Sequence, residues 1–249
     1  MSTSAGILML GAAMAGVVQG ISGFAFGLVS LSLWAWFMAP QELAVYTLCG
    51  SLAGQLLAAV TLRRSWNLRV LAPYLVGGAL GVPLGVWLLP RLDAALFKVI
   101  LGGLLLVWCP TMLAARRLPH VSASGPLGRV LDGFSGLGGG VLGGLGGYTG
   151  LIPTLWCNLR AMGKEEQRMV VQNFNLAAQC ITFAAFWQQG LLTASLAPGL
   201  MVVVPTALAS AWLGTRIYRG LSEVRFRQVI LTLLALSGVA LLRSGLAGW

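Results

Sequence analysis

Amide and hydroxyl side chains recur at helical spacing within two apolar stretches of this 249-residue chain. Residues three or four apart share one face of a helix, so each set forms a polar stripe. Such groups cost free energy in hydrocarbon unless they are hydrogen-bonded, which predicts that both stripes face the protein interior. There they would either line a pathway and offer uncharged donors to a solute, or only join helix to helix. The stripes consist of Thr47, Ser51 and Gln55, and of Gln172, Asn175 and Gln179 with Asn173 beside them.

A glycine-rich interruption divides one long apolar unit in each half of the chain. The first unit, about residues 5–39, is predicted to break at residues 19–23, and in the second, about residues 127–159, ten of the eighteen residues from Gly133 to Gly150 are glycine. Non-helical backbone survives at membrane depth only where protein or a wet cavity satisfies its polar groups. Amides at the start of a half-helix carry a partial positive charge, so each break predicts an anion site built from backbone N–H groups. The alternative is that the glycines only allow close helix packing.

Charged and metal-binding side chains are missing from the middle of the apolar stretches. All six acidic residues fall near predicted span ends, which argues against a proton relay or a sodium cage built from carboxylates. His120 lies in a polar linker, and without a buried base no enzymatic activity is predicted. We therefore expect no cofactor and no metal, and a cavity of neutral donors that suits a small, weakly basic oxyanion. The acidic residues are Glu42, Asp93, Asp132, Glu165, Glu166 and Glu223.

The composition is that of an integral membrane protein. Hydrophobic residues make up 57% and charged residues 9% of the chain, whereas soluble domains carry about a quarter charged residues. The net charge of +10 comes from Lys and Arg in short loops between apolar spans, so no nucleic-acid partner is expected. The four cysteines are scattered in apolar surroundings and are interpreted as small buried hydrophobes, with a covalent sulfur relay as the alternative. They are Cys49, Cys109, Cys157 and Cys180.

The chain half-matches itself when it is shifted by 124 residues, so that Gly16–Phe24 falls on Gly140–Tyr148. We interpret this as an internal duplication, with repeats at residues 1–125 and 126–249 inside a single transmembrane domain. Duplicated membrane proteins with broken segments are typical of transporters whose site lies where the halves meet. Other matched pairs are Ser51 with Asn175, Gln55 with Gln179 and, after a slip of one residue, Trp87 and Arg91 with Trp212 and Arg216.

Each repeat is predicted to hold one broken segment followed by three transmembrane helices, which makes the fold an all-α polytopic membrane protein. A polar linker at residues 116–126 separates the repeats. The predicted helices are Gln41–Leu62, Leu68–Leu89 and Ala94–Ala114 in the first repeat, and Glu165–Trp187, Leu191–Leu213 and Glu223–Leu246 in the second.

Positive charge decides between two topologies. If each broken segment crosses the membrane once, Lys and Arg divide 7 to 9 between the two sides, but if each is a re-entrant hairpin they divide 13 to 3. The positive-inside rule favours the hairpins. Each repeat then crosses three times, so the repeats have inverted topology and both termini are predicted outside. The equivalent residues Arg91 and Arg216 are interpreted as interfacial anchors, with a gate for an anion as the alternative.

The segments Gly16–Gly27 and Gly136–Pro153 resemble the paired glycine-rich motifs of the TauE/SafE sulfite exporter family. The resemblance extends over nearly the whole chain, in length, apolar units and the start of each half. It implies a carrier that moves sulfite, or small organosulfonates such as sulfoacetate, outward across the bacterial inner membrane. The first motif departs from the usual glycine run at Gln19, Ser22 and Phe24, side chains that would reshape the pocket.

We therefore expect a secondary transporter that exports a small sulfur-containing anion by alternating access, surrounded by the lipid bilayer. The hairpin tips and neutral side chains would hold the substrate near the midplane. A structural membrane subunit without transport is the alternative from another class, and a homodimer is compatible with the sequence. The predicted binding residues are Gln19, Gly20, Ser22, Gly23, Phe24, Ser51, Gln55, Gly144, Gly146, Gly147, Tyr148, Thr149, Asn175 and Gln179.

Overall fold

The computed structural model describes residues 2–23, 25–61, 65–114, 121, 125–217 and 223–247, and within these ranges all regular structure is helical. Seven helices in this part of the chain, α1, α3, α4, α5, α8, α9 and α10, are long and apolar enough to cross a membrane. The chain is therefore a multi-pass, all-helical membrane protein. The helices are α1 Ser2–Ser22, α2 Phe26–Trp34, α3 Pro40–Thr61, α4 Leu68–Leu88, α5 Ala94–Leu113, α6 Gly125–Gly146, α7 Leu151–Leu159, α8 Lys164–Gln188, α9 Ala197–Ile217 and α10 Glu223–Ala247.

One predicted helix was displaced along the sequence. The prediction of a span over Leu191–Leu213 was wrong at its start, because a turn and a short 3₁₀ helix over Ala194–Leu196 precede α9. Gly190 has a φ of +68°, which glycine adopts at little cost and which ends the preceding helical path. The Thr193 and Ser195 hydroxyl oxygens lie 2.8 Å apart, so local hydrogen bonding of short polar side chains favours a turn there.

The two broken segments turn near the late end of the glycine-rich stretches that the sequence marked, residues 19–23 and 133–150. α1 continues through Gln19 and Gly20, and the change of direction follows at Gly23, whose φ is +85°. α6 likewise runs through eight of the ten glycines between 133 and 150 and turns at Gly147, whose φ is +82°. Both turns need a left-handed residue, which glycine supplies. Most of the glycines of α6 are therefore helical and have a packing role.

Each short helix folds back along the long helix before it. In the first hairpin (α1 and α2), the Trp34 Nε1 atom at the end of α2 donates to the Ile7 carbonyl, 3.1 Å away near the start of α1. In the second hairpin (α6 and α7), Arg160, which follows α7, contacts Asp132 in the second turn of α6 at 2.8 Å. The two arms of each hairpin thus run antiparallel from a glycine tip.

Helix packing joins the two halves of the chain closely. A methyl group added to Gly77 or Gly81 of α4 would collide with a backbone carbonyl of α6, at Gly133 or Leu137 respectively. On the other side of the bundle, a methyl group on Gly20 of α1 would collide with a backbone carbonyl of α9. Small residues allow such backbone approach, which supplies much of the packing energy between membrane helices. α4 with α6, and α1 with α9, form parallel pairs in this way.

The helix directions define two faces of the bundle. The Asn173 Nδ2 atom near the start of α8 donates to the Ser65 carbonyl just after α3, 3.0 Å away, so α3 and α8 run antiparallel. α6 begins beside the start of α4, whereas α1 begins at the other face with α3. We call one face the Leu68 face, at the end of α3 and the starts of α4, α6 and α8, and the other the Pro40 face, at the starts of α1, α3, α5 and α9.

Candidate functional site

Polar side chains meet where α3 and α8 cross in the centre of the bundle. The Gln179 Nε2 atom of α8 donates to the Ser51 hydroxyl oxygen of α3 at 2.8 Å, and the Gln19 Nε2 atom of α1 donates to the Ser51 carbonyl at 2.9 Å. All three side chains are at most 3% exposed. A side chain from the first hairpin thus bonds to the crossing of the two helices that carry the polar stripes.

The tip of the first hairpin is bonded to the same stripe on α3. The Gln55 Nε2 atom donates to the Gly23 carbonyl at 2.7 Å, and Gln55 is 1% exposed. The Ser22 hydroxyl donates to the Val18 carbonyl at 2.8 Å and accepts from the Ala25 amide at 3.3 Å, so it closes the end of α1. Phe24, a further predicted binding residue, lies outside the described residues.

The tip of the second hairpin is bonded to the stripe on α8. The Thr149 hydroxyl donates to Asn175 Oδ1 at 2.9 Å, and both side chains are 1% exposed. A methyl group built on Gly147 would lie 3.6 Å from the Thr47 methyl group, and one built on Gly27 of α2 would lie 3.1 Å from the Gly147 carbonyl. The second tip therefore reaches past the crossing to α2 and α3.

The two tips overlap in depth along α3. Gln55, beside the first tip, is about 9 Å of helix rise from the end of α3 at Thr61. Thr47, beside the second tip, is about 10 Å from its start at Pro40. Each hairpin thus extends from its own face beyond the middle of α3, and the polar residues between the two tips are enclosed by both.

Three buried polar atoms in this cluster have no hydrogen-bond partner among the residues that the structure describes. They are Gln19 Oε1, Gln179 Oε1 and Asn175 Nδ2. Because the Ser51 carbonyl can only accept, the Gln19 amide must turn its nitrogen to Ser51 and its oxygen to the interior. An unpaired polar group of this kind costs about 1–3 kcal/mol. The cluster therefore offers one donor and two acceptors to a solute that would relieve this cost.

Four predicted binding residues lie apart from this cluster. Gly20 packs against α9, and its counterpart Gly144 packs against Val82 and Val86 of α4. A methyl group on Gly146 would lie 3.0 Å from the Tyr148 ring. Tyr148 lines an apolar pocket together with Phe97 and Leu101 of α5, and its buried hydroxyl has no hydrogen-bond partner within the described ranges.

The two equivalent arginines lie at the surface, at opposite ends of the bundle. The Arg91 guanidinium carbon lies 3.8 Å from the centroid of the Trp87 ring, and that of Arg216 lies 3.8 Å from the Trp212 ring. All four side chains are exposed. The identical stacking in the two halves is a geometry typical of aromatic and basic residues at a membrane interface.

The sequence reasoning missed a buried ion pair between the two arms of the second hairpin. Asp132, counted among the residues near span ends, is 4% exposed. Its carboxylate accepts from the Arg160 Nη1 atom at 2.8 Å on both oxygens, from the Trp156 Nε1 atom at 2.7 Å and from the Tyr74 hydroxyl at 2.8 Å. The available signal was the hairpin itself, because folding α7 back on α6 brings residue 160 beside residue 132.

The cysteines and the metal-binding residue types form no further site in the described part of the chain. All four cysteines are free thiols, and Cys157 lies with its sulfur 3.9 Å from the Tyr74 hydroxyl oxygen. No group of three or more His, Cys, Asp and Glu side chains within the described ranges is arranged to hold a metal ion.

The fold and the polar crossing define a class, that of polytopic, all-helical membrane proteins with neutral polar side chains buried inside the helix bundle. The family model described as Sulfite exporter TauE/SafE matches residues 8–241, and the chain belongs to this family of membrane transporters. No curated protein and no solved structure matches the chain.

Proposed function

We propose that this protein is a secondary transporter that exports a small sulfur-containing anion, such as sulfite or an organosulfonate, by alternating access. Membership of the sulfite exporter family supports the substrate class. The observation that carries the proposal is the set of unpartnered polar atoms, Gln19 Oε1, Gln179 Oε1 and Asn175 Nδ2, enclosed between the two hairpin tips. A substrate that forms hydrogen bonds to these atoms regains the hydrogen bonds that it loses on leaving water.

The polarity of these atoms indicates which anions fit. Asn175 Nδ2 is a donor and suits a sulfonate or sulfite oxygen, and the start of α7 beside Thr149 adds the partial positive charge of a helix N-terminus. Gln19 Oε1 is an acceptor and needs an O–H or N–H group on the substrate. Hydrogensulfite, hydroxyalkanesulfonates and aminoalkanesulfonates offer both kinds of group, whereas sulfate offers oxygens alone.

We further propose that the two halves are inverted repeats that rock against each other around this site. The pairing of helices supports it, because α1 packs on α9 as α6 packs on α4, and α1 and α6 begin at opposite faces. Equivalent glycines, Gly23 and Gly147, form the two tips. In transporters built from inverted repeats, motion of one repeat exposes a fixed midplane site to each side in turn.

The Leu68 face is proposed to be cytoplasmic and both termini external. Thirteen of the sixteen Lys and Arg residues fall on this side in the hairpin topology. Expelling an anion from a negative interior is then downhill, with about 2.3 kcal/mol available per charge at 100 mV. Flux should therefore follow an imposed membrane potential, and flux that ignores the potential would contradict uniport of the charged form.

The direct test is flux into proteoliposomes that contain the purified protein. Asn175→Leu and Gln179→Leu should abolish uptake of labelled sulfite and isethionate while thermal stability stays near that of wild type. Gln188→Leu is the matched control, since it is the same change at an exposed position on the same helix. Isethionate should be carried well, and ethanesulfonate, which lacks the hydroxyl group, poorly.

Two results would overturn the proposal. Full flux in Asn175→Leu and Gln179→Leu would show that the polar crossing only joins helices. Absence of flux for every sulfur anion in the wild-type protein, with the fold intact, would favour a structural subunit.

A further inference from the structure

The Asp132 network has a composition unlike the remainder of the buried core. Its centre is the Asp132 carboxylate, which accepts two hydrogen bonds from Arg160, one from Trp156 and one from the Tyr74 hydroxyl, in the second turn of α6 at the Leu68 face. Ionisable groups inside membrane segments are costly and mark solute pathways or coupling sites. The network joins α4, α6 and α7 and lies apart from the polar crossing of α3 and α8.

The partners of Asp132 come from three different helices. Tyr74 belongs to α4, Asp132 to α6, and Trp156 and Arg160 to α7 and its end. The ion pair therefore ties the short helix α7 to the α4–α6 pair. The opposite end of α7 begins just after Thr149, which bonds to Asn175 in the proposed site. Nine residues of helix, about 13 Å, thus connect the ion pair to the substrate cluster.

Arg160 is the more exposed member of the ion pair. Its side chain is 23% exposed and that of Asp132 only 6%. An anion that approaches from the Leu68 face therefore meets the guanidinium before the carboxylate. If the anion takes the guanidinium and α7 moves away with Trp156, Asp132 still accepts from the Tyr74 hydroxyl of α4, so the carboxylate keeps a donor.

From this geometry we propose a second anion site at Arg160, where a substrate anion displaces Asp132 and so releases α7. Asp132 acts as a built-in substitute for the substrate, and the exchange of one anion for another opens the second hairpin at the Leu68 face. This inference rests on the proposed anion transport and names its cytoplasmic binding site. Release of α7 in turn loosens the Thr149–Asn175 contact at the far end of the helix.

Cys157 provides a reporter for release of α7. The thiol is fully buried in the network, 3.9 Å from the Tyr74 hydroxyl, on the helix that would move. A variant that keeps Cys157 alone (Cys49→Ala, Cys109→Ala and Cys180→Ala) would be labelled in detergent with a cationic methanethiosulfonate reagent. A buried thiol reacts only in the open population, so the labelling rate measures opening.

Substitutions of Asp132 and of Arg160 are expected to have opposite effects on anion binding. Sulfite or isethionate should raise the labelling rate of the Cys157-only protein severalfold. Asp132→Asn should label quickly without any anion and bind anions more tightly, because the Asp132 carboxylate no longer competes with the anion for the Arg160 guanidinium. Arg160→Gln should lose the anion response, bind more weakly and raise the KM for flux from the Leu68 face. Arg168→Gln, an exposed arginine at the same face, is the matched control for general electrostatic attraction.

The double variant Asp132→Asn/Arg160→Gln carries no buried charge and keeps the test valid if a single variant does not fold. It should fold and show no response of Cys157 to anions. The proposal is overturned if Arg160→Gln and Arg168→Gln weaken binding equally, or if anions bind and are transported without any change in Cys157 labelling. Failure of the proposed function itself would look different, since wild-type protein would then neither bind nor carry the anions.

Discussion

The two hairpins have matching backbones but are closed by different chemistry. In the first, the fully buried Trp34 ring makes edge contacts with Phe26 and Tyr46, each at 6.4 Å between centroids, and its indole bonds to the Ile7 carbonyl. In the second, an ion pair between Asp132 and Arg160 holds the arms together. The positions equivalent to Asp132 and Arg160 under the 124-residue shift are Leu8 and Trp36.

This difference teaches which half of the molecule is suited to respond to a solute. An aromatic cluster has no group that a small anion could replace, whereas an ion pair contains one charge that another anion can substitute. Two hairpins of similar backbone can thus respond differently to a solute when the closure of only one of them contains charges. On the proposed mechanism, the first hairpin is the fixed wall of the site and the second is the part that opens.

The largest expected effect tests the fixed wall. Trp34→Ala should lower the free energy of unfolding by about 3–5 kcal/mol, the range for truncating a large buried aromatic residue. The measurement is unfolding in mixed micelles, followed by tryptophan fluorescence. Trp187→Ala is the control, because that side chain is 70% exposed and its loss should change little. A small effect at Trp34 would mean that aromatic packing does not hold the first hairpin.

The next effect concerns the ion pair of the second hairpin. Arg160→Gln should cost about 1–3 kcal/mol, less than the 3–5 kcal/mol of an enclosed pair, because Arg160 is partly exposed to solvent. Asp132→Asn should cost a similar amount, and the double variant should recover most of it. The same unfolding assay gives the coupling energy of the double-mutant cycle. Additive costs would show that the two charges do not depend on each other.

Much of the fold was predictable because each membrane helix corresponds to a long apolar run in the sequence. The bounds of α3, α4, α5 and α10 agree with the predicted spans within one residue at each end. The turns at Gly23 and Gly147 fall inside the predicted glycine-rich stretches, residues 19–23 and 133–150. The sequence did not indicate which glycine turns, because glycine at Gly20 or Gly144 signals a close helix contact as readily as a turn. Composition alone does not distinguish these two uses.

The site was partly predictable for a different reason. The stripes on α3 and α8 were visible because helical spacing places Ser51 and Gln55, or Asn175 and Gln179, on one face. Their bonds to each other and to Gln19 depend on how the helices cross, which spacing does not determine. The Asp132 network was missed because Asp132 and Arg160 are 28 residues apart and only the hairpin brings this pair together.

A smaller effect is expected from Gly54→Ala, which should lower transport through the Gln19 side chain of the first hairpin without lowering stability. A methyl group on Gly54 of α3 would lie 2.5 Å from Gln19 Oε1, so Gly54→Ala should push the flexible Gln19 amide out of the cluster. Flux of isethionate should fall roughly tenfold, equivalent to about 1.4 kcal/mol, with little change in stability. Gly103→Ala in α5 adds the same methyl group where no atom of the described part of the chain lies within 4 Å, and it should leave flux unchanged. Equal flux in both variants would remove Gln19 from the site.

The smallest effects are expected at the feature that both halves share. Arg91 and Arg216 stack on Trp87 and Trp212 with the same 3.8 Å geometry, at opposite faces, outside the hairpins. Exposed cation–π pairs are worth about 0.5–1 kcal/mol, so Arg91→Gln and Arg216→Gln should each lower stability by no more than this. Flux should stay at the wild-type level, because neither side chain contacts a hairpin tip. A loss of flux in one variant alone would show that direction is also encoded at the surface, and that the contrast between the hairpins is not its only source.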